Sequence, residues 1–209
     1  MKFYDYTRAP NARRVRMFAA EKGFDLDKIS VDLGTREQMA DDYKAINPRL
    51  QVPALILDDG TLLTESVAIC RYLDALHPEP ALFGTGALGQ ATVEMWHRRM
   101  ELEGMQPAAD AVRNTVEFFK GRALSGPVDF DQIPALAERG LARIDMFFGL
   151  LDEQLGDSQW VAGDDFSIAD IAAVVAVDFA KVVKKRPSDE TANLKRWYNV
   201  ISARPSATA

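Results

Sequence analysis

The residues best suited to chemistry in this sequence are a proline and, further along the chain, a glutamate followed by a serine. Pro53 stands at the start of a short apolar run, where a strand residue without an N–H leaves a neighbouring backbone edge free. Glu65 and Ser66 open the next amphipathic run, so they add a carboxylate and a hydroxyl to the unpaired N–H groups of a helix start. A helix end of this kind binds anions. The two places together could hold a short peptide-like ligand, with its backbone at the strand edge and its carboxylate at the helix end.

The composition is that of an ordinary globular protein and excludes several classes of function. The chain has 209 residues, of which 47% are apolar and 27% charged, and its net charge is −6. An acidic chain argues against a nucleic-acid partner, and no apolar run is long enough to predict a membrane span. Cys70 is the single cysteine, and the two histidines are far apart, so we expect no disulfide and no metal site. A cytoplasmic protein is the simplest expectation.

The first 76 residues alternate strand and helix patterns. We predict strands at 3–6, 28–33, 54–57 and 61–63, and helices at 11–22, 36–46 and 65–76. Asp59-Gly60 predicts a two-residue type I′ turn between the third and fourth strands. The order is βαβαββα, an α/β arrangement.

The rest of the chain shows only helical patterns. Residues 78–86 are rich in proline and glycine and predict a linker. A long helix over 88–111 should bend near Pro107, and three further apolar stripes predict an all-α bundle. Ser167 and Asp170 fit a capping box at the start of one of these helices. We therefore expect domains at 1–77 and 87–209.

The motifs and the two-part plan together resemble the cytosolic glutathione S-transferase superfamily. In that family a cis-proline follows Val or Ile, as in Val52-Pro53, and a Glu/Gln-Ser pair opens the third helix, as in Glu65-Ser66. The resemblance covers nearly the whole chain. It implies a thioredoxin-like N-terminal domain, glutathione as co-substrate, no metal, and a hydrophobic electrophile held by the helical domain. It also implies a homodimer in which the first domain of one subunit pairs with the helical domain of the other, and the stretch 98–101 is expected to serve that contact.

The resemblance assigns the γ-glutamyl and cysteinyl parts of glutathione to four residues. Pro53 should be cis, and the Val52 backbone should pair with the cysteinyl part. Ser66 and its amide should bind the γ-glutamyl carboxylate, and Glu65 the ammonium group.

Two glutamines are candidates for the glycyl end of glutathione. Gln51 stands where some family members have Lys, and Gln38 where several have His. The alternative is that both side chains are solvated surface. The family often has Pro-Phe-Gly before the strand, whereas Pro48-Arg49-Leu50 is found here, so we expect an altered loop.

The chain departs from the family pattern at the position that activates the thiol of glutathione. Ala9 and Pro10 stand where the family places a Ser or Cys, so the chain resembles bacterial and fungal members that lack the usual Tyr, Ser or Cys. Asn11 and Thr7, at the mouth of the first helix, are the candidates to stabilise the thiolate with the help of the helix dipole. The alternative for Asn11 is a helix N-cap. Tyr6 should pack along the first strand.

Two further groups of side chains have an ordinary structural alternative. The arginines at 8, 13, 14 and 16 are expected to form a solvated face that could attract anionic glutathione. Side chains along and just beyond the predicted long helix, most of them apolar, could line the electrophile site or belong to the bundle core; they are Met105, Ala108, Val112, Thr115 and Phe119.

The sequence therefore favours a glutathione S-transferase, which stabilises the thiolate of glutathione and conjugates it to a hydrophobic electrophile. Because the usual Tyr, Ser or Cys that activates the glutathione thiol is missing, two alternatives stay open. One is a non-catalytic binding or regulatory module with the same fold, and the other is a glutathione-dependent peroxide or disulfide reductase.

Overall fold

The N-terminal domain is built on a four-stranded mixed sheet in a computed structural model that describes residues 1–209. The strand order is β2-β1-β3-β4, with β1 parallel to β2 and antiparallel to β3, and β3 antiparallel to β4. The strands are β1 (Lys2–Asp5), β2 (Asp27–Ser30), β3 (Ala54–Ile56) and β4 (Leu62–Thr64). The helices of this domain are α1 (Pro10–Glu21), α2 (Asp41–Ile46) and α3 (Ser66–Leu76). This βαβαββα order confirms the predicted α/β arrangement.

All the regular elements of the second part of the chain are helices, which confirms the predicted two-part plan. Its elements are α4 (Gly86–Arg99), a π-helical segment (Met100–Met105), α5 (Gln106–Arg113), α6 (Pro134–Asp157), α7 (Ile168–Ala180) and α8 (Ala192–Ser202). Helix α7 is its central element, because all but two of its 13 residues are buried and it packs against both α1 and α4. None of the helices is both long and apolar enough to cross a membrane.

The predicted capping box is present at the start of α7. The Asp170 carboxylate accepts from the Ser167 amide at 3.0 Å, and Ser167 Oγ accepts from the Ala169 amide at 3.2 Å. Asp170 also accepts from the Val161 amide and from the Trp197 indole, each at 2.9 Å. One buried carboxylate thus joins the start of α7 to the preceding loop and to α8.

The turn between β3 and β4 differs from the predicted type I′ turn. The amide of Leu57 donates to the carbonyl of Thr61 at 2.9 Å, and the amide of Gly60 donates to the carbonyl of Leu57 at 3.0 Å. Of the loop residues, Gly60 alone has a positive φ, +86°, whereas type I′ needs two. The connection is therefore a three-residue loop with its glycine in the left-handed region.

Two of the predicted helices have different boundaries. The helix predicted at 36–46 is a 3₁₀ turn (Glu37–Met39) followed by α2, because Ala40 is extended between them. The long helix predicted at 88–111 continues as far as Arg113, and its distortion is the π-helical segment directly before Pro107. A proline in a helix clashes with the carbonyl four residues earlier, and a π-turn is one of the ways in which a helix absorbs such an irregularity.

Two glycines allow helices of the second part to approach closely. A Cβ at Gly104 would lie 2.5 Å from the Phe147 ring. A Cβ at Gly140 in α6 would lie 2.7 Å from the Pro107 carbonyl oxygen and 2.8 Å from the Ala111 nitrogen in α5. The second contact is with backbone, so a side-chain rotation cannot relieve it.

We predict that Gly140→Ala destabilises the protein and Gly149→Ala does not. The Cβ at Gly140 would force α5 and α6 apart, at a cost of about 1–3 kcal/mol in the free energy of unfolding. Gly149 lies in the same helix with no atom within 4 Å of its Cβ position, so alanine there should stabilise the helix by about 0.5–1 kcal/mol. Urea unfolding of both variants measures the difference. Equal effects of the two substitutions would contradict the backbone contact.

Candidate active site

The backbone before β3 is held in place by two side chains of the preceding helix and turn. The Val52–Pro53 peptide is cis. The carbonyl of Gln51 accepts from Tyr43 Oη at 2.7 Å and from Asn47 Nδ2 at 2.8 Å. These bonds fix the chain immediately before Val52. Neither Tyr43 nor Asn47 is among the site residues that the sequence predicts.

The junction of β4 and α3 combines an unusual backbone conformation with a buried hydroxyl. Glu65 is the N-cap residue of α3, with φ 65° and ψ 117°. A non-glycine residue in such a region is strained by about 1–3 kcal/mol, and such strain is concentrated at functional sites. Ser66, the first residue of α3, is 5% exposed, whereas the Glu65 side chain is exposed. The hydroxyl and the free amides of the helix start therefore lie at one end of α3, with the carboxylate beside them.

A buried arginine reaches this serine from α1. Arg14 Nη1 donates to Ser66 Oγ at 3.1 Å and to Glu101 Oε1 at 2.9 Å. Arg14 is only 2% exposed, and its Nε and Nη2 atoms have no partner. The guanidinium thus connects the start of α3 to the π-helical segment of the helical domain.

The predicted solvated face of arginines is wrong for three of its four members. Besides Arg14, Arg16 is buried and donates to Asp5 at 2.5 Å and to the Thr7 carbonyl at 2.9 Å. Arg13 is half-buried and forms a 2.5 Å ion pair with Asp178 of α7. Each of these three arginines holds α1 to another element.

The mouth of α1 carries the two candidates for thiolate stabilisation. Asn11 and Thr7 are both exposed. The N-cap of α1 is Ala9, which makes no side-chain cap, and Pro10 is the first helical residue. The N-cap alternative for Asn11 is therefore wrong, because Asn11 lies in the first helical turn. Tyr6 is half-buried and packs against the core.

The two glutamines have different surroundings. Gln38 is half-buried, and its Oε1 atom is buried without a hydrogen-bond partner. Gln51 Nε2 donates to the carbonyl of Ser125, in the helical domain, at 3.1 Å. Neither side chain is simply solvated surface. Leu50, just before Gln51, has a positive φ of 57°, so a leucine occupies the conformation that suits the family's glycine.

The apolar residues proposed for an electrophile site divide into core and surface. Ala108 and Val112 are fully buried between helices, so the core alternative holds for them. Met105 and Phe119 are half-buried, and Thr115 is exposed. Of the five, only these three have side chains that solvent reaches.

The other candidates for a functional site are a cavity, a metal site and the single cysteine. A cavity of about 480 Å³ lies between the C-terminal end of α6 and α8, and of the residues discussed above only Trp197 lines it. No group of three or more His, Cys, Asp and Glu side chains is arranged to hold a metal ion. Burial raises the pKa of the Cys70 thiol to about 12, so this cysteine is protonated and inert at neutral pH.

Comparison with known proteins identifies the family. The family models for the N-terminal and C-terminal domains of glutathione S-transferase match residues 9–76 and 110–205. Glutathione S-transferase 2 of Saccharomyces cerevisiae is 34% identical over 99% of this chain and 87% of its own length. The crystal structure of yeast Gtt2 superposes with a TM-score of 0.89, at 31% identity, over 99% of this chain and 98% of the other.

The chain belongs to the glutathione S-transferase family. A glutathione S-transferase domain-containing protein of Marinobacter aquaeolei matches equally well, with a TM-score of 0.89 and 31% identity over 99% of both chains. The predicted family, fold and glutathione transferase activity are thereby confirmed.

Beside the Arg14 contact of this glutathione transferase lies a fully buried histidine. His97 is 0% exposed, and neither ring nitrogen has a hydrogen-bond partner. Its Nε2 is 4.0 Å from Glu101 Oε1. Burial, assisted by the positive charge of Arg14 and opposed by Glu101 and Glu94, lowers the pKa of His97 to about 4. The imidazole is therefore neutral at physiological pH.

We predict that His97 makes the folded transferase less stable in mild acid. Below about pH 6.5 the unfolded chain binds a proton on this histidine, whereas the folded chain does not until about pH 4. Stability is thus lost as the pH falls through this range, by up to about 3 kcal/mol. Urea unfolding at pH 7 and pH 4.5 measures the loss, which should be smaller in His97→Gln. An equal loss in both proteins would contradict the prediction.

Proposed function

We propose that this glutathione transferase binds glutathione across the start of β3 and the start of α3 and adds its thiolate to a hydrophobic electrophile. The observation that carries the assignment is the strained Glu65 at the N-cap of α3, next to the buried hydroxyl of Ser66. The Val52 backbone pairs with the cysteinyl part of glutathione. Domain limits of 1–77 and 87–209, with a linker between them, accompany this proposal.

The γ-glutamyl end is assigned to α3. A serine hydroxyl has one hydrogen to donate and two lone pairs. Ser66 Oγ accepts from Arg14, so its hydrogen is free to donate to a carboxylate. The Arg14 charge and the free amides of the helix start favour the same anion. The exposed Glu65 carboxylate is left to pair with the ammonium group.

The glycyl end is assigned to Gln38 and Gln51. Gln38 Oε1 is a buried acceptor without a partner, and an orphaned acceptor of this kind is expensive to leave unsatisfied. A rotation of the Gln38 side chain that brings this atom to the surface would let the N–H of the glycyl residue satisfy it. Gln51 Nε2 has two hydrogens and donates one to Ser125, which leaves the other for the glycyl carboxylate.

The thiolate is assigned to the mouth of α1, with Asn11 and Thr7 as its partners. Because Ala9 offers no side-chain cap, the first amides of α1 are available to an anion. The side-chain amide of Asn11 and the hydroxyl of Thr7 add donors in the same place. The conjugation of hydrophobic electrophiles is the chemistry of detoxification, and a cytoplasmic location suits it.

We also propose that the protein forms a homodimer through α4. Leu88, Met95 and Leu102 are 80%, 45% and 51% exposed and follow one another at seven-residue intervals along α4 and the π-helical segment. This spacing places them on one face, and a row of exposed apolar side chains is typical of an interface. The stretch 98–101 is less suited to that contact, because Met100 is fully buried and Arg98 donates to Glu101 of the same chain.

We predict that Ser66→Ala weakens glutathione binding. The substitution removes a hydrogen bond to a charged group, which contributes about 1.5–3 kcal/mol, so the dissociation constant should rise about 10- to 150-fold. Isothermal titration calorimetry with glutathione measures it. Ser206→Ala is the matched control, because Ser206 is equally buried but donates to Glu21. An unchanged affinity in Ser66→Ala would place the γ-glutamyl group elsewhere.

We predict that Asn11→Ala raises the pKa of the bound thiol, while Tyr6→Phe changes it little. Loss of one charge-assisted hydrogen bond should shift this pKa upward by about one unit. Ultraviolet absorbance of the thiolate against pH measures it in both variants. A shift in Tyr6→Phe alone would transfer the role to Tyr6. No shift in either variant would leave Thr7 or an ordered water as the candidates.

A further inference from the structure

The segment between α5 and α6, residues 114–133, has little regular structure but a fixed shape. We call it the strap. Arg113 donates to the carbonyl of Ala123 at 2.7 Å, and Arg122 donates to the carbonyl of Gly126 at 2.7 Å. At its far end the amide of Ile133 donates to Asn114 Oδ1 at 2.8 Å. Hydrogen bonds between side chains and the backbone therefore fold the strap back on itself and on the end of α5.

The strap rests on the loop that leads into the glutathione site. The bond from Gln51 Nε2 to the Ser125 carbonyl is the one hydrogen bond between the helical domain and residues 49–53. Gly126, the next residue of the strap, is buried, and a Cβ there would lie 3.8 Å from Gln51 Nε2 and 3.9 Å from the Arg49 carbonyl oxygen. The strap therefore lies against the residues that immediately precede Val52–Pro53.

The strap also concentrates exposed apolar side chains. Five of the chain's twelve large exposed hydrophobic residues belong to it: Phe118, Leu124, Val128, Phe130 and Ile133. Leu124 is 52% exposed and directly precedes Ser125. Apolar surface that continues from a ligand site is suited to an apolar part of the same ligand.

We propose that Gln51 is a positioning residue for the second substrate: by its bond to Ser125 it holds the apolar strap beside the glutathione site, where the strap contacts the apolar group joined to the glutathione sulfur. This inference rests on the proposed function. An electrophile that reacts with the thiolate becomes attached to that sulfur, so its apolar part must lie next to bound glutathione. Of the exposed apolar surfaces, the strap is the one that a hydrogen bond ties to residues 49–53.

The test compares ligands that differ only in the group on sulfur. Isothermal titration calorimetry with S-methylglutathione and S-hexylglutathione gives the ratio of their dissociation constants, which reports the contact with the longer apolar chain. Wild-type protein should bind the S-hexyl compound more tightly. Gln51→Met removes the hydrogen bond at similar size and should lower this preference about fivefold, the value of one neutral hydrogen bond. Leu124→Ala should lower it by a similar factor, since it removes apolar contact area.

Two variants serve as controls. Gln38→Met alters the other proposed glycyl residue, which has no bond to the strap, so it should weaken both ligands equally and leave the ratio unchanged. Met146→Ala removes an exposed apolar side chain of α6 that lies outside the strap, and it should change neither affinity.

Three results would overturn the inference. A Gln51→Met variant that weakens both ligands equally would make Gln51 a glycyl ligand only. A wild-type protein with no preference for the S-hexyl compound would remove the strap from the second-substrate site. Both results leave the proposed function intact, whereas failure of the wild-type protein to bind glutathione itself would overturn both proposals.

Discussion

The burial of the Arg14 guanidinium is the constraint on which the rest of the structure depends. A charged group removed from water is costly unless it is paired and hydrogen-bonded. Arg14 finds its partners in Ser66 and Glu101, one at the proposed glutathione site and one in the helical domain. The proposed site and the contact between the two parts of the chain are therefore held by the same side chain. A change in the packing of the π-helical segment would therefore be transmitted through Arg14 to the Ser66 hydroxyl, which is assigned to the γ-glutamyl carboxylate.

Helix α1 distributes its other arginines in the same way. Arg13 pairs with Asp178 on the central helix α7, and Arg16 pairs with Asp5 at the end of β1 and holds the Thr7 carbonyl. The helix is thus fixed to the sheet, to the loop before it and to the helical domain. Its N-terminus is assigned the thiolate, and a dipole can stabilise an anion only if its end is held at a constant distance. The ion pairs of α1 provide that rigidity.

The sequence predicts the secondary-structure elements better than it predicts the contacts between them. The start of β3 after Pro53 and the start of α3 at Ser66 are predicted from local spacing, because a strand start and a helix start are local features. The role of Arg14 could not be recognised, since Glu101 lies far along the chain and four nearby arginines are usually solvated. The predicted type of the turn at Gly60 is wrong for a related reason. Asp-Gly suits both a two-residue type I′ turn and a three-residue loop, and the pairing of Leu57 with Thr61 decides between them. The Gln51–Ser125 bond is likewise a contact between distant segments.

The absence of a Ser, Cys or Tyr at the thiol position follows a physical logic in this chain. A helix start leaves its first amides unpaired, and a side-chain cap normally satisfies some of them. Here Ala9 occupies the N-cap and has no side-chain acceptor, and Pro10, which has no N–H, occupies the first helical position. The remaining donors of the first turn are therefore free for an external anion. A thiolate at this point would replace the missing cap, so that the helix start and the bound glutathione satisfy each other's hydrogen-bonding needs.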